Sequence, residues 1–211
     1  MNIMCSTDWK FRIKYAKEHN IDLKILLVHA MGFNRALQSR KKYINMHPKK
    51  IEIANLILEH RQDRKCITFS NNIAMAEQIG YGETYSGKDS AKKGRIKLED
   101  FKIKSTGTIN SIRRLAEGFN DPLISVAIFL GLDSSKTRKT QSVGRAIRQQ
   151  EGKMAEIFNL VLKGTVEETW FQNSIGSNPY ITLDENGLRA LLEGKEFGIK
   201  KNKTVKSTFR F

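Results

Sequence analysis

The chain has 211 residues, and its 37 Lys and Arg against 22 Asp and Glu leave a formal charge of +15, with a pI near 9.9. This length suits one domain, or one domain with an extra lobe, and a chain of this size hides about 70% of its unfolded surface. The charge points to a polyanionic partner, nucleic acid first and an anionic membrane surface second, while no apolar run reaches the roughly 20 residues of a membrane helix.

Only Cys5 and Cys66 are present, so no disulfide framework is implied and a reducing cytoplasm fits. His19, His29, His47 and His60 show no ligand spacing with either cysteine, and no structural zinc is expected. The segment Met1–Asp8 carries an early acid and no apolar core, so it does not read as a signal peptide.

The first sixty residues read as helices. Trp9–His19 and Leu23–Ile44 carry apolar residues three and four apart, and Pro48 breaks the pattern. A third helix, Lys49–Arg61, places Ile51, Ala54, Leu58 and Ile57 on one face. From Lys65 the rhythm changes. Cys66–Ser70 is a short β-rich run, and Asn71 or Asn72 caps a helix over Ile73–Ile79. Glu83–Ser86 reads as a short strand, Ser90–Phe101 as a basic helix and Thr106–Ser111 as a strand, followed by a helical turn at Arg113–Glu117. Ser125–Leu130 is a strongly apolar strand. Lys136–Gln149 reads as a helix, Ala155–Leu162 as a strand and Val166–Asn173 as a helix. Past Gly176, Thr182 or Asp184 caps a helix to Leu192 in what reads as a separate appendage. Lys200, Lys201, Lys203, Lys206 and Arg210 then form a basic arm with no acid among them.

Strands alternating with helices of this length imply βαβ units and a mostly parallel sheet. The near-continuous apolar strands Ser125–Leu130 and Glu156–Leu162 fit a sheet covered by helices on both faces.

Two segments carry candidate chemistry. Gln141-Ser-Val-Gly144-Arg145-Ala-Ile-Arg148 places Gln141, Gly144, Arg145 and Arg148 on one helix face. Two guanidiniums one turn apart can grip a polyphosphate, and they stay charged at any physiological pH. The competing reading is a solvated basic face, or one resting on nucleic-acid phosphates. Upstream, Leu115–Pro122 (LAEGFNDP) follows the carboxyl end of a strand, where open α/β sheets place ligands. Gly118 permits a tight turn there, and Asn120 or Asp121 offers an acceptor for a ribose hydroxyl. The competing reading is an ordinary turn. The run Gly82-Glu-Thr-Tyr-Ser-Gly87-Lys88-Asp89 is a near miss for a phosphate-binding P-loop. It has Asp in place of the magnesium-binding hydroxyl and contains its own strand, so it reads as coincidence.

The order Lys65–Asn72, Tyr85–Lys88, Leu115–Pro122, Val126–Gly131, Gln141–Arg148 and Ala155–Leu162 resembles the second RecA-like domain of superfamily 2 helicases. It is most similar to the DExH-type group that includes phage and repair helicases. In that family the first segment is motif IV, the glycine turn motif V, and the Gln141–Arg148 helix motif VI. The resemblance spans about Lys65–Phe171 and implies a RecA-like α/β fold preceded by a helical segment. It implies that Arg145 and Arg148 are arginine fingers and that Gln141 lies at the γ-phosphate or its water. Gly118 matches the motif V glycine, and Asn120 or Asp121 the ribose acceptor. Ser70 and Ser111 fall near positions that contact the nucleic-acid backbone in relatives, with Ser86 and Lys88 as further candidates.

The expected organisation is therefore a helical segment over 1–62, the RecA-like domain over 63–176, and a C-terminal helix with basic tail over 177–211. No Walker A loop or DExH box stands in the sequence, so the resemblance implies half of a motor, with ATP as substrate. Mg2+ would be held mainly by an absent N-terminal RecA-like domain, present in cis or as a separate subunit. The implied partner is DNA, single-stranded or forked, with RNA as a further possibility. No membrane partner is expected, and the implied location is the cytoplasm, that of the host if the chain is phage-encoded. A non-enzymatic nucleic-acid-binding module, and the motor fragment of a restriction or remodelling translocase, are the alternative functions.

Overall fold

The computed structural model describes residues 9–112, 121–131, 155–175 and 178–196. The chain divides into two compact units, Met1–His47 and Pro48–Phe211.

The first unit is a pair of helices, α1 (Trp9–Glu18) and α2 (Leu23–Asn45). Asn20 adopts a left-handed φ of 52° in the turn between them, a conformation that Asn tolerates better than most residues. The Asp22 carboxylate then caps α2 by accepting from the Lys24 amide at 2.7 Å. Ala16, Leu26 and Ala30 are buried.

The second unit begins with α3 (Pro48–Glu59), whose proline occupies the first helical position, where no amide donor is needed. There follow β1 (Lys65–Ser70), α4 (Ile73–Glu77), β2 (Glu83–Tyr85), α5 (Ala91–Ile103), β3 (Gly107–Ile112), β4 (Val126–Phe129), β5 (Glu156–Asn159), α6 (Val166–Ile175) and α7 (Glu185–Leu192). The strands form one sheet in the order β2-β3-β1-β4-β5, with every pair parallel. The α/β fold expected from the alternation of elements is thus the one observed.

Strand alternation divides the core between two faces. Cys66, Val126, Ile128 and Leu130 point to the face covered by Ala54, Ile57 and Leu58 of α3, by Met75 of α4, and by Leu188 and Leu192 of α7. Ile67, Phe69, Ile109, Ala127 and Phe129 point to the opposite face, where they meet Phe101 of α5. The registered neighbours Phe69 and Phe129 stack there, with ring centroids 4.7 Å apart.

Two expected boundaries change. Residue 62 was the expected limit of the leading helices, yet α3 is part of the sheet's core, so the unit boundary falls between His47 and Pro48. The helix ending at Leu192 is not an appendage. Its Leu188 and Leu192 complete the same core, and Lys49 of α3 pairs with Glu185 at 2.9 Å. The expected helix Lys136–Gln149, the turn at Arg113–Glu117 and the basic arm from Lys200 lie outside the described residues.

Gly82 sits just before β2 with φ of 78°, and a Cβ there would lie 2.1 Å from the Thr108 carbonyl oxygen. It is required for the chain to pass β3 closely. The segment 82–89 contains β2 itself, so its P-loop likeness is coincidental, as the sequence suggested.

Candidate functional site

Because all five strands run parallel, their carboxyl ends share one edge, the usual place for ligands in open α/β sheets. The register aligns Tyr85, Ser111, Phe69 and Phe129 across it. The β3–β4 connection contains Gly118 and Asn120, and the β4–β5 connection contains Gln141, Arg145 and Arg148. These five residues lie outside the described residues, so the site is built here from what surrounds them.

Ser70, the last residue of β1, is 2% exposed. Its hydroxyl donates to the Asn72 carbonyl at 3.0 Å and approaches the Ser111 carbonyl at 3.4 Å. Asn72 in turn caps α4, accepting from the Met75 amide at 2.8 Å. Ser111 is fully buried, and its hydroxyl contacts the Ile112 carbonyl at 3.5 Å. Both hydroxyls, expected from the sequence to meet a nucleic-acid backbone, are buried in this structure. Both are turned into the sheet, where they satisfy backbone carbonyls at the end of β1 and β3.

Asp121 is also corrected. Its carboxylate is 3% exposed and pairs with the Lys65 ammonium at 2.7 Å. The other oxygen accepts from the Leu123 amide at 3.0 Å. The carboxylate is therefore turned into the interior at the amino end of β1, beside Lys65, and not towards the carboxyl edge.

Ser86 and Lys88 stand where β2 reaches the ligand edge. Ser86 is half-buried and Lys88 exposed. The Ser86 amide donates to Asp89 Oδ2 at 3.3 Å, and the Lys88 amide donates to Ser86 Oγ at 3.3 Å. Asp89 anchors this loop through Lys97, whose Nζ lies 3.0 and 3.1 Å from its two carboxylate oxygens and 2.8 Å from the Thr84 carbonyl. Burial works to raise the Asp89 pKa, but the hydrogen bonds from Lys97 and the Ser86 amide, with the charges of Lys97 and Lys93, hold it below the usual carboxylate value. Lys97 therefore organises the loop rather than contributing to a free basic face. The Asp89 and Lys97 roles were missed in the sequence, where eight residues separate them; only the turn-like composition Ser-Gly-Lys-Asp gave a hint. Lys88 Nζ reaches back to Glu77 of α4 at 2.9 and 3.2 Å.

A close approach at the same edge was also missed. A Cβ on Gly131, just past β4, would lie 2.1 Å from Asn71 Nδ2. Gly131 thus leaves room for the Asn71 side-chain amide just past β4.

Among the described residues no three of His, Cys, Asp and Glu stand together in a way that could hold a metal ion. None of the described helices is long and apolar enough to cross a membrane.

Residues 49–150 match the family described as the helicase conserved C-terminal domain. That span is just under half of the chain. The matched span begins with α3 and contains both the Gly118 turn and the Gln141–Arg148 segment. A putative ATP-dependent RNA helicase of Methanocaldococcus jannaschii is 28% identical, with 61% of this chain and 18% of that protein covered. The fold is similar to that of the C-terminal part of the Fun30 ATPase domain, with TM-score 0.51 and 17% identity over 68% of this chain and 51% of that one. It is also similar to S. cerevisiae Dbp5 in a structure bound to RNA and ADP BeF3, with TM-score 0.58 and 13% identity over 68% of this chain and 40% of that one. The chain thus spans less than a fifth of the archaeal relative and about half or less of these two structures.

Proposed function

We propose that this chain is the finger-bearing half of an ATP-dependent helicase or translocase that tracks along single-stranded nucleic acid. The observation that carries this reading is the coincidence of the family match over 49–150 with the parallel sheet in which β3 and β4 flank β1. That arrangement puts the Gly118–Asn120 and Gln141–Arg148 segments on consecutive connections of one sheet.

ATP lies in a cleft between this domain and a Walker A-bearing domain. Arg145 and Arg148 enter from this side and neutralise charge developing on the transferred γ-phosphoryl group. Such fingers contribute about 10³–10⁵ in rate where they have been measured. Gln141 stands at the γ-phosphate or the attacking water. Gly118 gives the turn room to approach the nucleotide, and Asn120 accepts a ribose hydroxyl. Ser86 and Lys88 contribute to the nucleic-acid track at the carboxyl edge of β2. Mg2+, held mainly by the other domain, would supply charge neutralisation to the nucleotide. Because the fingers reach the phosphate only when the cleft closes, hydrolysis is coupled to a shift of grip.

DNA is the proposed track. The archaeal relative is described as an RNA helicase and the Dbp5 structure contains RNA, so the test carries both polymers. ATP hydrolysis is measured for the purified chain alone, and then with its Walker A domain supplied in cis or in trans, each with single-stranded DNA or RNA. Turnover is expected only in the assembled motor and is expected to rise with the preferred polymer. Finger-dependent turnover by the chain alone would overturn the reading.

A further inference from the structure

Lys97 stands on the inward face of α5, between the buried Gly94 and Phe101. A lysine so placed is costly unless its ammonium is partnered. Its partners are the two carboxylate oxygens of Asp89 and the Thr84 carbonyl of β2, and the Lys97 and Asp89 side chains are 19% and 9% exposed. The same carboxylate accepts from the Ser86 amide. The Asp89 amide donates to the Ser86 carbonyl at 3.2 Å, and the Lys88 amide to the Ser86 hydroxyl. The turn Ser86–Asp89 is thus closed on itself, and Lys97 ties it to β2 and α5 at once. Those two elements also touch directly, since a Cβ on Gly94 would lie 3.0 Å from Cε2 of Tyr85, the residue just before the turn.

A sequestered ion pair is a poor device for stability alone, because apolar residues of the same volume do as well. Two things an apolar residue would not supply are direction and charge. Three oxygens around one ammonium fix where the turn sits, and a ligand contact must be held within about 0.5 Å of its working position by the groups behind it. Asp89 is also an anion next in sequence to Lys88, at the carboxyl end of β2. Left without a cation it would repel the phosphates that Lys88 attracts.

We propose that Lys97, acting through Asp89, is a positioning residue for nucleic-acid binding, holding the Ser86–Asp89 turn so that Lys88 meets a phosphate and cancelling the carboxylate beside it. The inference rests on the reading of Lys88 as part of the track and assigns that contact its support.

The test uses the full chain and a labelled single-stranded deoxythymidine oligonucleotide, with affinity read by fluorescence anisotropy from about 50 to 200 mM salt. The quantity compared is the contribution of Lys88, the change in slope of log K against log salt when Lys88→Ala is added to a given background. In the wild type it is expected to be about 0.7, one phosphate contact on a single strand. The double variant Lys97→Met with Asp89→Asn leaves the net charge at +15. It strands no ion, and the asparagine oxygen remains an acceptor for the Ser86 amide, so Tm is expected to stay near that of the wild type. The contribution of Lys88 is nevertheless expected to fall to near zero, because nothing ties the turn to β2 and α5. Lys97→Arg keeps the cation and is expected to keep most of the contribution. Each slope is measured well below the Tm of the protein concerned. A double variant with an undiminished Lys88 contribution would show the tie to be structural only, overturning the inference while leaving Lys88 in the track. An arginine variant as impaired as the double would assign the loss to packing and overturn it as well. A wild type in which Lys88→Ala leaves the slope unchanged would remove Lys88 from the track and the inference with it.

Discussion

Among the described residues Lys88 is an exposed cation just past the carboxyl end of β2, where the proposed track runs, yet it is not idle. Its ammonium contacts both oxygens of Glu77 at 2.9 and 3.2 Å, with side chains 63% and 46% exposed. A pair this open is worth about 0.2–1 kcal/mol. Binding a phosphate must break it, so Glu77 acts as a brake on affinity. Glu77→Gln is therefore expected to tighten single-stranded binding by about 1.4- to 5-fold, the same range expressed as an equilibrium ratio. Lys88→Ala is expected to weaken binding and to reduce the slope of log K against log salt by about 0.7, one phosphate contact on a single strand. The assay is fluorescence anisotropy with a labelled oligonucleotide at ionic strengths from about 50 to 200 mM, the range over which such contacts are read. Removing any acid from a basic protein attracts nucleic acid generally, so Glu99→Gln, which frees Arg95 on α5, serves as the control. The decisive comparison is Glu77→Gln in the Lys88→Ala background, where the gain is expected to shrink to that of the control. An undiminished gain there would refute the link between Glu77 and Lys88 and remove Lys88 from the track.

Three further outcomes follow from the fold. Glu167 joins Lys50 across the core, with both side chains buried and the second carboxylate oxygen accepting from the Leu162 amide at 3.1 Å; burial, opposed by Glu167, holds the Lys50 pKa below the usual lysine value. Glu167→Ala strands that cation and is expected to cost about 3–5 kcal/mol, a fall in Tm of roughly 6–20 °C by thermal melting, with Lys50→Met and Glu167→Gln together recovering most of it. Leu192→Ala is expected to cost about 2–4 kcal/mol in urea unfolding, because Leu192 is part of the core over α3; a loss below about 0.5 kcal/mol would restore the view of α7 as an appendage. Burial pushes the Cys66 thiol up to about 11. It should therefore resist a thiol reagent in the native protein at pH 8 and react on unfolding; fast native labelling at Cys66 would contradict its place in the core.

The parts of the fold legible in the sequence were those set by period and composition. Val126–Phe129 is too apolar and too short for anything but a buried strand, and the Asn71–Asn72 pair marks the start of α4. Ends were less legible. The helix expected to reach Ile79 closes at Glu77, and α5 runs on to Ile103, because the last turns are decided by packing rather than by local preference. The membership of α3 and α7 in the core was hidden for a related reason. An amphipathic helix announces that one face is covered, and not what covers it.

At the site, residue type indicated chemistry and tertiary pairing decided who was free to perform it. Asp121 looked like an equal alternative to Asn120 until Lys65 was found to hold it. A lysine opening a β-rich run gives no sign that it will be buried. Ser70 and Ser111 looked like hydroxyls available to a ligand, but parallel pairing of β1 with β3 places them beside carbonyls that needed a donor. The loop at Ser86 drew its order from Lys97 on the following helix, a contact that composition does not encode.

The central claim is that Arg145 and Arg148 act on the phosphate and not on the strand. It is tested most directly by Arg148→Ala in the assembled motor, measuring ATP turnover and single-stranded affinity on the same preparation. Turnover is expected to fall by about 10³ or more while affinity changes less than about twofold. Weakened binding with turnover per bound complex preserved would contradict it and place that arginine on the nucleic acid.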